Sequence, residues 1–192
     1  DAVMRRSLEA VLAELARHDA EAAQILDVTT FIEIRDRVHE ELRGKITDLN
    51  EIRRESFKRV LRDIDKADDS LATRLTDVYF KHRTAGRLLF DDVSPAVEEL
   101  GRAYTLGLVS NGNSYAEDFG LERWMSFQIF AQDHGGIEKP DIRLFQIALG
   151  EAGCAADELV HVGDSLETDV AGARNAGVRS VWLNRNGALA DR

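Results

Sequence analysis

The spacing of apolar residues changes near the middle of this 192-residue chain, and no other feature constrains the fold as strongly. From residue 1 to about 85, apolar residues recur every three or four positions, as on one face of a helix, and no segment alternates like a strand. The spacing predicts an all-helical first half. We expect four helices, with apolar stripes around Leu8, Ile34, Val60 and Leu75. Charged residues between these stripes, including Arg53 and Arg54, are predicted to face solvent.

Beyond residue 93, short apolar runs alternate with amphipathic helices. Ser94 and Pro95 are predicted to begin the first of these helices, as N-cap and first-turn proline. Four strands are predicted, at residues 104–109, 127–131, 159–162 and 178–183. Strands that alternate with helices of this length indicate a parallel sheet with helices on both faces. The predicted fold class is therefore α/β, with a three-layer domain at residues 89–192 preceded by a helical domain at residues 1–88.

Charge and composition exclude several classes of partner. The formal net charge of −10 would repel nucleic acid and anionic membranes. No run approaches the roughly 18 apolar residues of a membrane helix, and residues 1–6 lack the apolar core of a signal peptide. The single Cys154 excludes an internal disulfide and fits a reducing compartment. We therefore expect a cytoplasmic monomer or homodimer that binds small ligands rather than nucleic acid or membrane.

Polar residues gather just after two of the predicted strands. Ser110, Asn111 and Gly112 follow the first strand, and Asp164 follows the third. In parallel α/β sheets, ligands bind beyond the carboxyl ends of the strands, so these loops should face one crevice. The hydroxyl of Ser110 and the backbone N–H groups of Asn111 and Gly112 are suited to binding an anion.

Three charged residues accompany these loops. Asp164 and Asp169 lie about one helical turn apart at the start of a helix, where single acids often serve only as caps. Two carboxylates in this position favour a magnesium site, because Mg²⁺ commonly takes one or two carboxylates together with water and phosphate oxygens. Lys139 precedes Pro140 in a loop that leads into the next helix. A fixed cation beside a metal and a hydroxyl is what phosphoryl transfer requires.

Together these motifs resemble the haloacid dehalogenase superfamily. Residues 108–112, Leu-Val-Ser-Asn-Gly, resemble its second motif, and residues 138–141, Glu-Lys-Pro-Asp, resemble its third. Residues 162–169, Val-Gly-Asp-Ser-Leu-Glu-Thr-Asp, resemble the fourth. The resemblance implies a Rossmann-like core, with the helical half as the cap that subtype-one members insert between their first and second motifs. The segment at residues 44–47, Gly-Lys-Ile-Thr, and the Arg-rich helix after it resemble the corresponding part of caps in the nucleotidase and acylneuraminate-phosphatase branch.

The resemblance also implies an activity and roles for the site residues. Members of this branch are magnesium-dependent phosphatases that act on small phosphorylated metabolites. Asp164 would hold the metal directly, and Asp169 would support it directly, through water or through Lys139. Ser110 and Lys139, together with the loop of Asn111 and Gly112, would bind the phosphoryl oxygens.

The family's first motif, Asp-x-Asp, is not found in this sequence. Asp1 lacks both a preceding strand and a second acid, and we interpret it as a cap for the first helix. We expect about 10 to 20 further residues before Asp1, enough for one strand and its loop. The resemblance implies that the first missing aspartate attacks phosphorus to give an aspartyl-phosphate, while the second protonates the leaving oxygen.

Two other interpretations of the same motifs stay open. The first is a haloacid dehalogenase, which also uses an aspartate nucleophile and has a similar second motif. Dehalogenases need no metal, and their fourth motif has a Ser-Ser-Asn pattern where this chain has Gly163 and Asp164. A non-catalytic binding protein that has lost its nucleophile is the other alternative. His161, within a predicted strand, is expected to be a packed core residue.

Overall fold

The structure, a computed structural model, describes residues 2–85, 89–185 and 187. The chain divides into two compact units, Asp1–Leu89 and Phe90–Arg192. The predicted cap at Asp1 lies outside the described residues. Within those residues, no helix combines the length and the apolar character that crossing a membrane requires.

The described part of the first unit consists of helices. They are α1 (Ala2–His18), α2 (Ala20–Ile25), α3 (Val28–Leu42), α4 (Leu49–Asp63) and α5 (Asp69–Ala85). Helix α1 packs along α5 and α3 packs along α4. Their apolar stripes meet in one core, where the ring of Phe57 contacts Phe31 at 5.7 Å and Tyr79 at 5.9 Å between centroids. The all-helical prediction for this half is confirmed.

Two features of this unit were not predicted. Helix α2 has six residues, too few for an apolar period to show, and begins where Asp19 accepts a hydrogen bond from the N–H of Ala22 at 2.9 Å. Arg53 was predicted to face solvent, but it is half-buried and its guanidinium lies 4.8 Å from the centroid of the Tyr79 ring. Burial lowers the pKa of Arg53 to about 10.

The second unit contains parallel strands connected by helices. Its elements are α6 (Val93–Gly101), β1 (Leu106–Ser110), β2 (Met125–Phe130), α7 (Ile142–Ala152), β3 (Val160–Gly163), α8 (Gly172–Asn175) and β4 (Arg179–Trp182). Strand β1 pairs in parallel with β2, and β3 pairs in parallel with β4. The four predicted strands are therefore confirmed to within two residues at each end. Helix α6 begins one residue before Ser94, so the predicted serine cap is wrong.

Helix α7 contributes to two apolar clusters. Leu144 and Ala148 pack with Ile129 of β2, whereas Phe145 packs with Ala173 and Val178, on the side of β3 and β4. Neighbouring helical positions point about 100° apart, so one helix serves both strand pairs. The loop that precedes α7 is thereby held near the carboxyl ends of both pairs.

Candidate active site

Lys139, in the loop before α7, is held by the side chain of Asn111, in the loop after β1. The side-chain amide of Asn111 donates to the carbonyl of Lys139 at 2.9 Å, and the N–H of Lys139 donates to Asn111 Oδ1 at 2.7 Å. Both backbone polar groups of the lysine are therefore satisfied by one side chain. The sequence predicted a role for the backbone N–H of Asn111, and this side-chain role was missed.

The ammonium group of Lys139 is held between β1 and the segment after β3. Its Nζ donates to the carbonyl oxygen of Val109 at 2.9 Å and to Asp169 Oδ1 at 2.6 Å, with 11% of the lysine side chain exposed. An ammonium carries three N–H donors. Contacts with described residues use two of them, which leaves one donor for a ligand.

Asp169 is buried and its carboxylate is engaged on both oxygens. Oδ1 contacts Lys139 Nζ and also His161 Nε2, at 2.9 Å, while Oδ2 accepts the N–H of Ser165 at 3.0 Å. Burial acts to raise the pKa of Asp169, but the bonds from His161, Lys139 and Ser165 outweigh it, so the pKa lies below its usual value. Asp169 is therefore an ionised partner for the lysine.

Gly163, the last residue of β3, makes room for this carboxylate. A Cβ atom built on Gly163 would overlap the carboxyl group of Asp169. Asp169 lies on a π-helical turn, Leu166–Ala171, that begins where Ser165 Oγ accepts the N–H of Thr168 at 3.1 Å. Only glycine at position 163 allows the turn to fold back so that Asp169 lies against the strand.

His161 also contacts the ion pair of Lys139 and Asp169, a role that was not predicted from the sequence. Its ring is mostly buried and meets the edge of Phe145 at 5.2 Å between centroids, as a core residue would. Burial lowers the pKa of His161 below its usual value, so the ring is neutral near pH 7. A carboxylate only accepts hydrogen bonds, so the neutral ring must donate through Nε2–H. The period of two that puts His161 and Gly163 on one face of β3 was the signal available in the sequence.

Ser110 and Gly112 form a local turn. Ser110 Oγ accepts the N–H of Gly112 at 2.9 Å, so that N–H, expected to bind an anion, is engaged within the loop. The hydroxyl hydrogen of Ser110 is still available to donate. Ser110 directly follows Val109, whose carbonyl holds Lys139, so the serine lies next to the ammonium contact along β1.

Asp164 is exposed at the carboxyl end of β3. Its backbone carbonyl accepts the indole N–H of Trp182 at 3.0 Å. Within residues 2–85, 89–185 and 187, its carboxylate has no hydrogen bond or ion pair. The contacts thus join Asn111, Lys139, Asp169 and His161 in one continuous group, with Ser110 next to it along β1 and Asp164 beside Ser165 at its edge.

The two aspartates differ in their fitness for magnesium. Asp164 offers free carboxylate oxygens, the hard donors that Mg²⁺ prefers, whereas Asp169 already holds Lys139, His161 and Ser165. No group of three or more His, Cys, Asp or Glu side chains suited to a metal occurs among the described residues. Magnesium does not require such a group, because it retains several waters. The residues present therefore fit a magnesium site with one direct protein ligand, Asp164, because the carboxylate of Asp169 is already engaged.

Comparisons with known proteins show which family and which relatives the chain resembles. The family model of haloacid dehalogenase-like hydrolases matches residues 4–177. The phosphoserine phosphatase of Thermus thermophilus is 34% identical over 134 residues, which are 67% of this chain and 53% of that protein. The N-acylneuraminate-9-phosphatase of Homo sapiens is 31% identical over 128 residues, 64% of this chain and 52% of that protein.

A solved structure gives a different activity for a similar fold. The 2-haloacid dehalogenase of Pseudomonas syringae pv. Tomato DC3000 has a TM-score of 0.79 and 33% identity, over 98% of this chain and 83% of that chain. The predicted α/β fold class is confirmed by this likeness. The chain spans about half the length of the curated relatives it matches.

Proposed function

The chain belongs to the haloacid dehalogenase-like hydrolases, and on this premise we propose that it carries most of the machinery of a magnesium-dependent phosphatase acting on a small phosphorylated metabolite. One observation carries the proposal. The ammonium of Lys139 is held by Asp169 and Val109 with one donor to spare, at the strand ends where Ser110 and Asp164 also lie. Such an ammonium is suited to the spread negative charge of a transferring phosphoryl group.

Each residue has a distinct task in this proposal. Lys139 binds a phosphoryl oxygen and keeps that contact as charge develops, and the hydroxyl of Ser110 donates to a second oxygen. Asp164 holds magnesium, which when bound screens the repulsion between the anionic nucleophile and the phosphoryl group. Asp169 keeps Lys139 in place, because its carboxylate supplies the counter-charge 2.6 Å from the ammonium within the buried part of the site.

The nucleophile is proposed to lie on a further strand between β1 and β3, outside the described residues. The pairing of the described strands supports this, since β1 pairs with β2 alone and β3 with β4 alone. Parallel strands are normally covered on both faces. Val162 of β3 and Val181 of β4 are 54% and 51% exposed, so one face of this strand pair is also uncovered among the described residues. An aspartate at the carboxyl end of such a strand would attack phosphorus to form an aspartyl-phosphate.

A dehalogenase is the second candidate, and the Pseudomonas syringae structure favours it. The free carboxylate of Asp164 favours the phosphatase, because a metal-free halide displacement has no use for an exposed acid at this strand end. The phosphatase relatives from Thermus thermophilus and Homo sapiens support the same choice. A non-catalytic binding protein is the third candidate, and full-length sequencing that shows a first strand without aspartate would support it.

One assay distinguishes these candidates. Purified full-length protein is incubated with p-nitrophenyl phosphate and, separately, with 2-chloropropionate, each with magnesium and after removal of divalent metal. We expect phosphate release that depends on magnesium and no chloride release. Chloride release without metal would replace the phosphatase with a dehalogenase, and no turnover of either substrate would favour the binding protein.

The cellular location and the size of the substrate are proposed from the composition of the chain. The single Cys154 supports a reducing, cytoplasmic location, and the net charge of −10 supports a small-molecule substrate rather than nucleic acid. A monomer or homodimer remains the expected assembly, which light scattering of the purified protein would test.

A further inference from the structure

His161 and Lys139 share one acceptor atom. His161 Nε2 lies 2.9 Å from Asp169 Oδ1, and Lys139 Nζ lies 2.6 Å from the same oxygen. A carboxylate can rotate about its χ angles and thereby carry a bound lysine with it. What fixes Asp169 therefore also fixes the ammonium.

Three groups limit that rotation. Gly163 lies behind the carboxyl group, the N–H of Ser165 holds Oδ2, and the ring of His161 holds Oδ1. The first two fix one side of the carboxylate. His161 is the only one of the three that contacts the oxygen on which Lys139 rests.

We propose that His161 is a positioning residue for Lys139, acting through Asp169: its Nε2–H orients Oδ1 so that the ammonium faces the phosphoryl site with its third donor free. This inference rests on the proposed phosphatase function for its consequence but not for its geometry. The imidazole contacts no phosphoryl oxygen in this account, and it transfers no proton.

A purely structural role for His161 is the competing explanation. The ring packs edge-on against Phe145 at 5.2 Å between centroids, and its side chain is 11% exposed. A phenylalanine would preserve that packing and lose the donor. Glutamine would lose the ring and keep an N–H donor at a similar reach. The two substitutions therefore separate packing from positioning.

The test uses full-length protein carrying His161→Phe or His161→Gln, with His82→Phe, an exposed histidine of the helical unit, as control. Steady-state rates with p-nitrophenyl phosphate give kcat and KM. The ¹H–¹⁵N signal of the Lys139 ammonium, assigned with Lys139→Arg, reports how firmly that group is held without reference to activity.

We expect His161→Phe to lower kcat/KM by about 10- to 100-fold, mostly through kcat, as loss of groups that orient a ligand commonly does. Its ammonium signal should broaden, while the melting temperature changes by no more than about 5 °C. His161→Gln should recover most of both readouts, and His82→Phe should match the wild type. Wild-type values of kcat and ammonium signal in His161→Phe would overturn the proposal, as would equal loss in the two variants.

Two measurements keep the test decisive. If the wild type releases no phosphate, the phosphatase proposal fails, and the ammonium signals alone still decide whether His161 positions Lys139. If His161→Phe does not fold, the ¹⁵N spectrum of the wild-type imidazole decides: an Nε2–H tautomer supports the proposal, and an Nδ1–H tautomer overturns it.

Discussion

Lys139 Nζ lies 2.6 Å from Asp169 Oδ1, and this ion pair joins the loop before α7 to the turn after β3. Both side chains are mostly buried, with 11% and 7% of their surfaces exposed. The pair therefore holds together two segments that lie 30 residues apart in the sequence. It also explains why a lysine in a loop, normally a mobile surface residue, has a fixed position here.

Removal of the ammonium should affect both stability and activity. Lys139→Met leaves Asp169 buried without its cation, and we expect the free energy of unfolding to fall by about 3 kcal/mol. The rate constant kcat should fall by about 100- to 1,000-fold, as when a fixed charge is removed from a transition state. Urea denaturation and steady-state kinetics check the two effects. A variant with wild-type kcat would remove Lys139 from the mechanism.

Replacement of Gly163 should disrupt the site without touching a charged group. Gly163→Ala places a methyl group where the Asp169 carboxyl lies, so the carboxylate must move and Lys139 must lose its partner. The rate constant kcat should fall to about the level of Asp169→Asn, a variant in which Lys139 loses the same charged partner. The control is Gly150→Ala in α7, where the new methyl group meets open space and should stabilise the helix by about 0.5 to 1 kcal/mol. Equal activity in the two alanine variants would contradict the packing described.

Asp164 should be required for metal binding but not for folding. Its carboxylate is exposed and has no partner within the described residues, so Asp164→Asn should leave the melting temperature unchanged. The magnesium concentration for half-maximal activity should rise by at least about tenfold, since a direct ligand is weakened. Glu167→Gln, an exposed acid three residues on, is the matched control and should behave like the wild type. An unchanged magnesium requirement in Asp164→Asn would assign the metal to other residues.

The free energy of unfolding should decrease with falling pH in two steps, one from His161 and one from Asp169. The pKa of His161 is lowered in the folded protein, so below about pH 6.5 the unfolded chain binds more protons and the free energy of unfolding decreases. The pKa of Asp169 is also lowered, so its contribution is present above about pH 3.8 and is lost as the pH falls further. His161→Gln should remove the first step, and Asp169→Asn the second. Chemical denaturation across this pH range measures both.

The sequence supplies candidate residues for the site but not the contacts between them. Ser110, Lys139, Asp164 and Asp169 follow from strand ends and motif spacing, which are local properties of the chain. The amide of Asn111 and the ring of His161 were missed because their roles depend on partners 28 and 8 residues away, respectively. Nothing in the local pattern distinguishes a strand histidine that packs from one that also donates.

The same limit appears in the fold. Strands and long helices were predicted because apolar periodicity accumulates over many residues. Helix α2 is too short for that period, and its start depends on the cap by Asp19. Arg53 was assigned to solvent because its neighbours are charged, yet packing of α4 against α5 places it over Tyr79. A tertiary contact overrode the local pattern at Arg53, whereas α2 was missed because it is short and depends on a single local cap.

The central claim is that Ser110, Lys139 and Asp164 serve one phosphoryl group. A crystal structure of the full-length protein with magnesium and vanadate, a mimic of the transferring phosphoryl group, tests it most directly. We predict one vanadate within about 3 Å of Ser110 Oγ and Lys139 Nζ, with magnesium bound to Asp164. Vanadate bound away from Lys139, or magnesium held without Asp164, would contradict the account.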